Sequence, residues 1–198
     1  MADQLATPQE LASFLQLTYA SLTVAQQATM LMLVELATAK VQRAAGGQRI
    51  VQVTNTDGVI DVTDPCDRYL PLPQLPVQSV TSVALDGETL TVGTDVFLRR
   101  QMLWRAGGWM RSYDPPSQAI VTWVSGYASG SQWLQLGKGH VLSLGALGWG
   151  NPGGATSEAI DDYRVTYAEA DARMQMTEYM AAEIADAYGA SAYVTLSR

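Results

Sequence analysis

The chain has 198 residues, a length typical of one domain or of one domain with an appendage. Hydrophobic residues make up 47% of it, which excludes a disordered chain. Charged residues make up only 16%, against a typical value of about 25%. We therefore expect other subunits or partners to cover much of the surface. With 12 basic and 19 acidic residues the net charge is −7, and a dedicated DNA-binding protein would need a dense basic patch.

Cysteine and histidine are each present once. Cys66 alone allows neither an intramolecular disulfide nor a cysteine-based zinc site, and His140 alone allows no histidine-rich metal site. The sequence begins Met-Ala-Asp-Gln, without the basic region and apolar core of a signal peptide. Its longest apolar run, 30–34, is far shorter than the roughly 20 residues that span a bilayer. We expect a protein that is made in a reducing cytoplasm and remains soluble.

Residues 1–48 are predicted to form a pair of helices. Thr7-Pro8-Gln9-Glu10 combines a capping box with a proline that suits the first helical position. Thr23-Val24-Ala25-Gln26 is a second capping box and begins a helix of about 20 residues, which Gly46-Gly47 ends. The apolar stripe predicted for this second helix is Ala28, Leu31, Met32, Leu36 and Val41.

Residues 49–127 are predicted to form a small antiparallel β-subdomain. The runs that alternate or are rich in β-formers are 49–53, 59–62, 77–85, 96–98, 102–105 and 119–124. Asp86-Gly87 between two such runs is a strong hairpin signal. A proline cluster, Pro71, Pro73 and Pro76, precedes the third run.

Residues 128–189 return to helical spacing. A helix is predicted at 131–149 in spite of several glycines, each of which weakens a helix by about 1 kcal/mol relative to alanine. An extended stretch is predicted near 162–168, followed by a last helix that Thr177 caps and Gly189 ends. Residues 190–198 alternate like a strand and are predicted to form an extended tail. The fold class is α+β, with the four segments forming one structural unit.

No residue is predicted to be catalytic, metal-binding or cofactor-binding. No motif surrounds His140, and Cys66 beside Pro65 is typical of a small hydrophobic residue in a loop. Glu158, Asp161 and Asp162, with Glu169 and Asp171 further on, are carboxylates of the kind that hold Mg²⁺, but such a cluster is also typical of a solvated loop or helix start. We favour the second interpretation and predict that the protein is not an enzyme.

The one basic and aromatic cluster is Arg99, Arg100 and Arg105 with Trp104 and Trp109. Two interpretations stay open for it. The arginines could contact a partner or the backbone of DNA in a channel, or they could pair with acidic neighbours across a hairpin.

Several strings taken in order resemble the head-to-tail adaptor, or connector, proteins of long-tailed bacteriophages. The first is the stretch 70–83, Leu-Pro-Leu-Pro-Gln-Leu-Pro-Val-Gln-Ser-Val-Thr-Ser-Val, followed by the Asp86-Gly87 turn. The others are 103–105 with Trp109, 119–127 ending in Gly-Tyr, 151–154, 157–160 and 162–167. The two N-terminal helices also fit the family, so the resemblance covers nearly the whole chain. The sequence departs from the family in Val-Ser-Gly-Tyr at 124–127, in Asp161 where glycine is frequent, and in the glycines of 131–149.

This resemblance implies a structural protein of the virion. Adaptors of the family form a ring, usually of twelve copies, that docks beneath the portal, continues the DNA channel and offers a surface to the next neck or tail protein. The implied partners are the portal protein, the next neck or tail protein, other copies of the chain, and passing DNA without sequence specificity; no membrane and no cofactor is implied. In related adaptors the C-terminal segment reaches into the portal, so the resemblance assigns portal docking to Ser191, Ala192, Tyr193, Val194, Thr195 and Leu196.

Two alternatives remain at this stage. The first is another neck or tail component, a stopper or a tail terminator, which tend to be β-barrel proteins without paired N-terminal helices. The second, from a different class, is a small metal-dependent phage nuclease that uses the acids near 158–171.

Overall fold

The structure is a computed structural model that describes residues 4–62, 68–150, 157–160, 163–166 and 174–189, with the backbone alone in the ranges 157–160 and 163–166. The helices are α1 (Pro8–Phe14), α2 (Val24–Ala44), α3 (Gln132–Gly150) and α4 (Glu178–Tyr188), with a short 3-10 helix at Tyr19–Ser21. The strands are β1 (Val53–Asp61), β2 (Tyr69–Pro71), β3 (Val77–Leu85), β4 (Glu88–Leu90), β5 (Phe97–Arg99), β6 (Met102–Trp104), β7 (Gln118–Ser125), β8 (Ser157–Ile160) and β9 (Tyr163–Thr166). The predicted α+β class is confirmed.

The chain divides into two compact units. One comprises Met1–Ile50 and Gly130–Arg198 and holds the four helices of the described residues; we call it the helical unit. The other is Val51–Ser129, which we call the β-unit.

The helices begin at the caps that the sequence predicts. The side chain of Thr7 accepts from the backbone of Glu10 and the Glu10 carboxylate accepts from the backbone of Thr7, which is a complete capping box. Thr23 and Gln26 form the second box in the same way. Thr177 caps α4 by accepting from Met180, and these predicted starts are confirmed.

Helix α2 presents a different face to the core from the one predicted. Its buried side chains are Met30, Leu33, Val34, Ala37, Thr38 and Val41. Of the predicted stripe only Val41 is buried, whereas Ala28, Leu31, Met32 and Leu36 are exposed. The prediction was wrong because α2 is apolar on both faces, so that two stripes fit the helical period equally well.

Four antiparallel strands form the larger sheet of the β-unit, in the order β1-β7-β3-β4. The predicted hairpin is confirmed, since Asp86 and Gly87 join β3 to β4 with φ of 51° and 83°, the left-handed pair that a type I′ turn requires. In place of two strands at 49–53 and 59–62 there is one, β1, which begins at Val53 and ends at Asp61. A bulge between Asn55 and Gly58, with Asp57 at φ 49°, lets this strand continue through the polar stretch between the runs.

Three short antiparallel strands form the second sheet, in the order β2-β6-β5. The sequence did not predict β2 because proline lacks the backbone donor of a strand residue. Pro71 is tolerated because it ends an edge strand. The two sheets enclose one core, made of Val62, Leu70, Leu72, Val77, Val83, Leu85, Leu90, Val96, Leu103, Trp109, Ala119, Val121 and Trp123.

The C-terminal part agrees with the sequence where the structure describes it. The helix predicted at 131–149 is α3, and the extended stretch predicted near 162–168 contains β9, which pairs with β8 in an antiparallel hairpin. Helix α4 ends at Gly189 as predicted. The tail at 190–198 lies outside the described residues.

Just after β7, the backbone of Gly126 lies very close to the backbone segments that precede β1 and β3. The amide of Gly126 donates to the carbonyl oxygen of Pro76 at 3.0 Å, and its carbonyl accepts from the Gln78 side chain at 3.0 Å. Its φ is 86°, and a Cβ placed on it would lie only 2.3 Å from the carbonyl oxygen of Val51. Glycine is required here for both conformation and space.

We predict that Gly126→Ala destabilises the protein by about 3 kcal/mol or more, because left-handed strain adds to a clash with backbone atoms. Gly93→Ala is the matched control, since Gly93 has φ 92° but a Cβ placed on it would have no neighbouring atom within 4 Å. That control should cost about 1 kcal/mol, the strain alone. Urea unfolding measures both, and equal losses would contradict the role of the close approach.

An ion pair links α1 to α3. Lys138 Nζ donates to Glu10 Oε1 at 2.7 Å. Partial burial acts to raise the pKa of Glu10, but the hydrogen bonds and charge of Lys138 and the hydrogen bonds from Thr7 outweigh it, and the net pKa is lowered. A carboxyl whose pKa is lowered by folding stabilises the fold above its unfolded pKa and loses that contribution as the pH falls.

We predict that Glu10→Gln destabilises the helical unit at pH 7 by less than about 1 kcal/mol, because 41% of the Glu10 side chain is exposed and water screens the pair. Glutamine keeps the capping box and removes only the charge. Denaturant titrations of wild type and variant should converge as the pH falls from about 5 to 3. Glu35→Gln, on α2, is the control. A Glu10→Gln deficit that persists unchanged at low pH would show that charge is not responsible.

Candidate interaction surfaces

The hairpin of β5 and β6 carries the predicted arginines. Its two turn residues, Arg100 and Gln101, have φ of 51° and 67°. The Gln101 side chain accepts from the backbone amide of Val77, which ties the turn to the start of β3. Arg99 and Arg100 are exposed at this anchored turn, so the hairpin presents two guanidinium groups on a fixed backbone.

An aromatic row crosses the same small sheet. Tyr69 pairs with Trp104, and Trp104 with Phe97, so the three rings stand directly opposite one another on three adjacent strands. Residues in such pairs share one face of the sheet. The face also carries Arg99, two residues from Phe97. All three rings are half-buried.

Arg99 lies over two of these three rings. Its guanidinium carbon lies 5.2 Å from the ring centroid of Trp104 and 5.8 Å from that of Phe97. This is cation–π geometry, with the positive group over negative ring faces. The Phe97 and Trp104 rings lie 5.9 Å apart and are inclined by 49°. We call Tyr69, Phe97, Arg99, Arg100 and Trp104 the arginine–aromatic patch.

The other members of the predicted cluster lie elsewhere. Arg105 donates from its side chain to the carbonyl oxygen of Gly108 and from its backbone to Arg68 at 2.9 Å, so it supports its own loop. Trp109 is 1% exposed, and its indole donates to the carbonyl oxygen of Arg68 at 3.1 Å. Arg68 was not predicted to lie near the other arginines. Its position follows from strand β2, which the sequence did not predict.

Helix α4 has an acidic outer face. Glu178, Tyr179 and Asp186 are exposed, with Tyr179 at 77%, while Ile184 and Tyr188 on the opposite face are buried. In the described part of the chain, Glu178 and Asp186 form no side-chain hydrogen bond or ion pair. We call Glu178, Tyr179 and Asp186 the acidic patch. No sequence pattern predicted this patch.

A third surface is the outer face of α2. Val24 is 83% exposed, Met32 59%, and Leu31 and Leu36 are also exposed. A helix that is apolar on both faces is typical of a buried helix. This surface is therefore a candidate for coverage by another chain.

His140 lies against α4. Its side chain is 11% exposed, and Nε2 is 3.5 Å from Glu183 Oε2 in a geometry that makes no hydrogen bond. The pair links two helices of the helical unit. Neither residue lines the open groove of about 320 Å³ in the β-unit, which is lined by Glu88, Thr89, Leu90, Thr94, Asp95, Arg105, Ala106 and Gly107.

The charged side chains of that groove already have partners. Glu88 pairs with Arg111, Asp95 accepts from the backbone of Thr91 at 2.8 Å, and Arg105 is held by Gly108. The charged groups of the groove are therefore engaged in contacts within the β-unit.

The remaining predicted residues are placed as follows. Cys66, Asp161, Asp162 and the tail residues 191–196 lie outside the described residues, and of Glu158 the structure describes the backbone. Among the side chains that are described, no group of three His, Cys, Asp or Glu could hold a metal ion. Within the same ranges no helix has the length and apolar character needed to cross a membrane.

No protein-family model matches the chain, and no curated protein is similar to it.

We predict different losses for two tryptophans of the β-unit. Trp109→Ala should cost about 4 kcal/mol, because it empties a buried site and removes an indole hydrogen bond. Trp104→Ala should cost about 1–2 kcal/mol, because a half-buried ring on a surface patch loses less contact. Chemical denaturation of the two variants measures this. Equal losses would mean that Trp104 belongs to the core and not to a surface.

Proposed function

We propose that the protein is a structural component of the neck of a long-tailed bacteriophage. In this proposal copies of the chain, twelve by analogy with the family, form a ring beneath the portal. The ring joins the DNA-filled head to the tail and continues the DNA channel. Its partners are other copies of the chain, the portal protein, the next neck or tail protein, and passing DNA that it contacts without sequence specificity. It acts in the virion after assembly in the bacterial cytoplasm, without a cofactor and without catalysis.

The proposal rests on the positions of the adaptor-like strings in the fold. The proline-rich string leads from β2 into β3, and the Asp86-Gly87 turn joins β3 to β4. The string 119–127 is β7 with the Gly126 turn that closes the sheet. The strings within the β-unit thus form one connected frame instead of scattered surface matches. A frame of this kind supports a common architecture.

The paired N-terminal helices support an adaptor over the nearest rivals. Helices α1 and α2 pack in the helical unit, and Leu11 and Ala12 of α1 are buried. Stoppers and tail terminators tend to be β-barrels without such a pair. The acidic net charge of −7 also suits a conduit, because a wall that bound phosphates tightly would hold DNA instead of letting it pass.

The proposal assigns a docking role to residues 190–198, which follow the end of α4 at Gly189. Deleting them should leave thermal unfolding of the purified protein unchanged and reduce the yield of tailed particles, with filled heads accumulating, because the portal contact is lost. The matched control replaces 190–198 by a Gly/Ser segment of equal length. It should fail like the deletion, since length alone does not dock.

Normal yields of tailed particles from the deletion would contradict the docking role. The nuclease alternative is tested separately by incubating the purified protein with DNA and Mg²⁺. We expect no cleavage. Cleavage that is lost in a variant carrying the amides of Glu158, Asp161 and Asp162 would establish the alternative.

A further inference from the structure

The basic residues of the β-unit are concentrated on one small sheet. Between residues 51 and 129 the sequence has five arginines and no lysine. Four of the five, Arg68, Arg99, Arg100 and Arg105, lie in or next to the β2-β6-β5 sheet. Arg68 and Arg105 are joined through their backbones at one end of the sheet, while Arg99 and Arg100 are exposed at the turn.

The geometry of Arg99 selects the chemistry of its ligand. A guanidinium that lies over aromatic rings keeps its N–H donors at its edge, where a carboxylate can accept from two of them. The rings beneath it are covered, and Phe97 and Trp104 are inclined by 49°. They do not form the open, flat platform on which nucleic-acid bases stack. The patch therefore favours a carboxylate-bearing protein surface over single-stranded nucleic acid.

A surface with the complementary chemistry lies on the helical unit. Helix α4 has three acidic residues and no basic one. On its outer face Glu178 and Asp186 lie eight residues apart, a rise of about 12 Å, and Tyr179 between them in sequence is also exposed. Two carboxylates beside an aromatic ring match two guanidinium groups beside an aromatic row.

We propose that the arginine–aromatic patch of one copy binds the acidic patch of a second copy, with Arg99 and Arg100 facing Glu178 and Asp186 and with Tyr179 packed beside the two guanidinium groups. The contact joins two different surfaces of the same chain, so each copy has one free patch of each kind. Such a heterologous contact repeats head to tail and gives a ring when the rotation closes. Arginine and aromatic residues are also the residues that dominate the energy of interfaces.

This inference rests on the proposed ring and names a contact within it. The few charges of these two surfaces then serve to recognise another copy. The exposed tyrosine supplies the apolar centre that ion pairs at a protein surface lack.

Reversing the charge of each patch tests the contact. The first variant carries Arg99→Glu and Arg100→Glu, and the second carries Glu178→Arg and Asp186→Arg. Either variant alone brings like charges together, so sedimentation velocity should show self-association weakened by about tenfold or more. An equimolar mixture places each reversed patch opposite its complement, so the mixture should regain the association of the wild type.

The control carries Arg43→Glu and Arg49→Glu, which changes the net charge as much as the first variant but lies on the helical unit away from both patches in sequence. It should associate like the wild type. A mixture that fails to regain association, or a control that is equally impaired, would overturn the inference. Circular dichroism of each variant verifies its fold.

A second measurement works whatever the strength of association. A photo-crosslinking side chain in place of Phe97 is activated in an equal mixture of ¹⁴N- and ¹⁵N-labelled full-length protein at about 1 mM, a concentration that populates even weak contacts. Crosslinks of mixed isotope between position 97 and the peptide 178–188 are expected. Crosslinks to other segments, crosslinks within one copy only, or no crosslink would overturn the inference.

The inference and the proposed function fail in different ways. If the two patches pair in solution but virions lack the protein, the neck function is wrong and the contact stands. If virions contain a ring that assembles normally from either reversed variant alone, the contact is wrong and the neck function stands.

Discussion

The helical unit depends on the close approach of its other helices to α3. A Cβ on Gly145 would lie 3.1 Å from the side chain of Leu11 in α1, and one on Gly148 would lie 2.6 Å from Leu33 in α2. A Cβ on Gly137 would lie 3.2 Å from the hydroxyl of Tyr188 in α4. These glycines are buried on one side of α3, at the spacing of a helical face. The cost of glycine in a helix is thus offset by close packing, and a larger residue at these positions would require Leu11, Leu33 or Tyr188 to shift.

The packing around α3 shows which sequence features predict structure and which do not. Capping boxes, the Asp86-Gly87 turn and Gly189 act locally, through hydrogen bonds within a few residues, and each was predicted from its own segment. The helix at α3 was also predicted, but its glycines were counted only as a weakness. Their role depends on neighbours that are distant in the sequence, such as Leu11 and Leu33, and no local pattern contains that information.

The features that the sequence could not provide are those that depend on tertiary contacts. The buried face of α2 was assigned wrongly because Leu31 and Met32 fit the helical period as well as Met30 and Leu33 do. Strand β2 was not predicted because Pro71 disfavours a strand locally. Its pairing with β6 joins segments that are distant in the sequence. The aromatic row arises only when Tyr69, Phe97 and Trp104 are brought into register by three strands. The same register explains why Arg99 covers the rings instead of pairing with an acid.

The two units have different surfaces, and this difference bears on the proposed function. The β-unit carries a basic hairpin in an acidic chain, while the helical unit carries an acidic helix and an apolar outer face on α2. In the proposed ring each subunit has several neighbours, namely other copies, the portal and the tail. Such a subunit has a use for each of these three exposed surfaces.

The central claim is that copies of this chain form a ring at the junction between head and tail. Electron microscopy of purified virions, with gold-labelled antibody against this protein, tests that claim most directly. The account predicts label confined to the neck and, in averaged images of it, a closed ring of equivalent subunits around the DNA channel. Label distributed over the capsid or tail, absence of label from intact virions, or a single copy at the neck would contradict it.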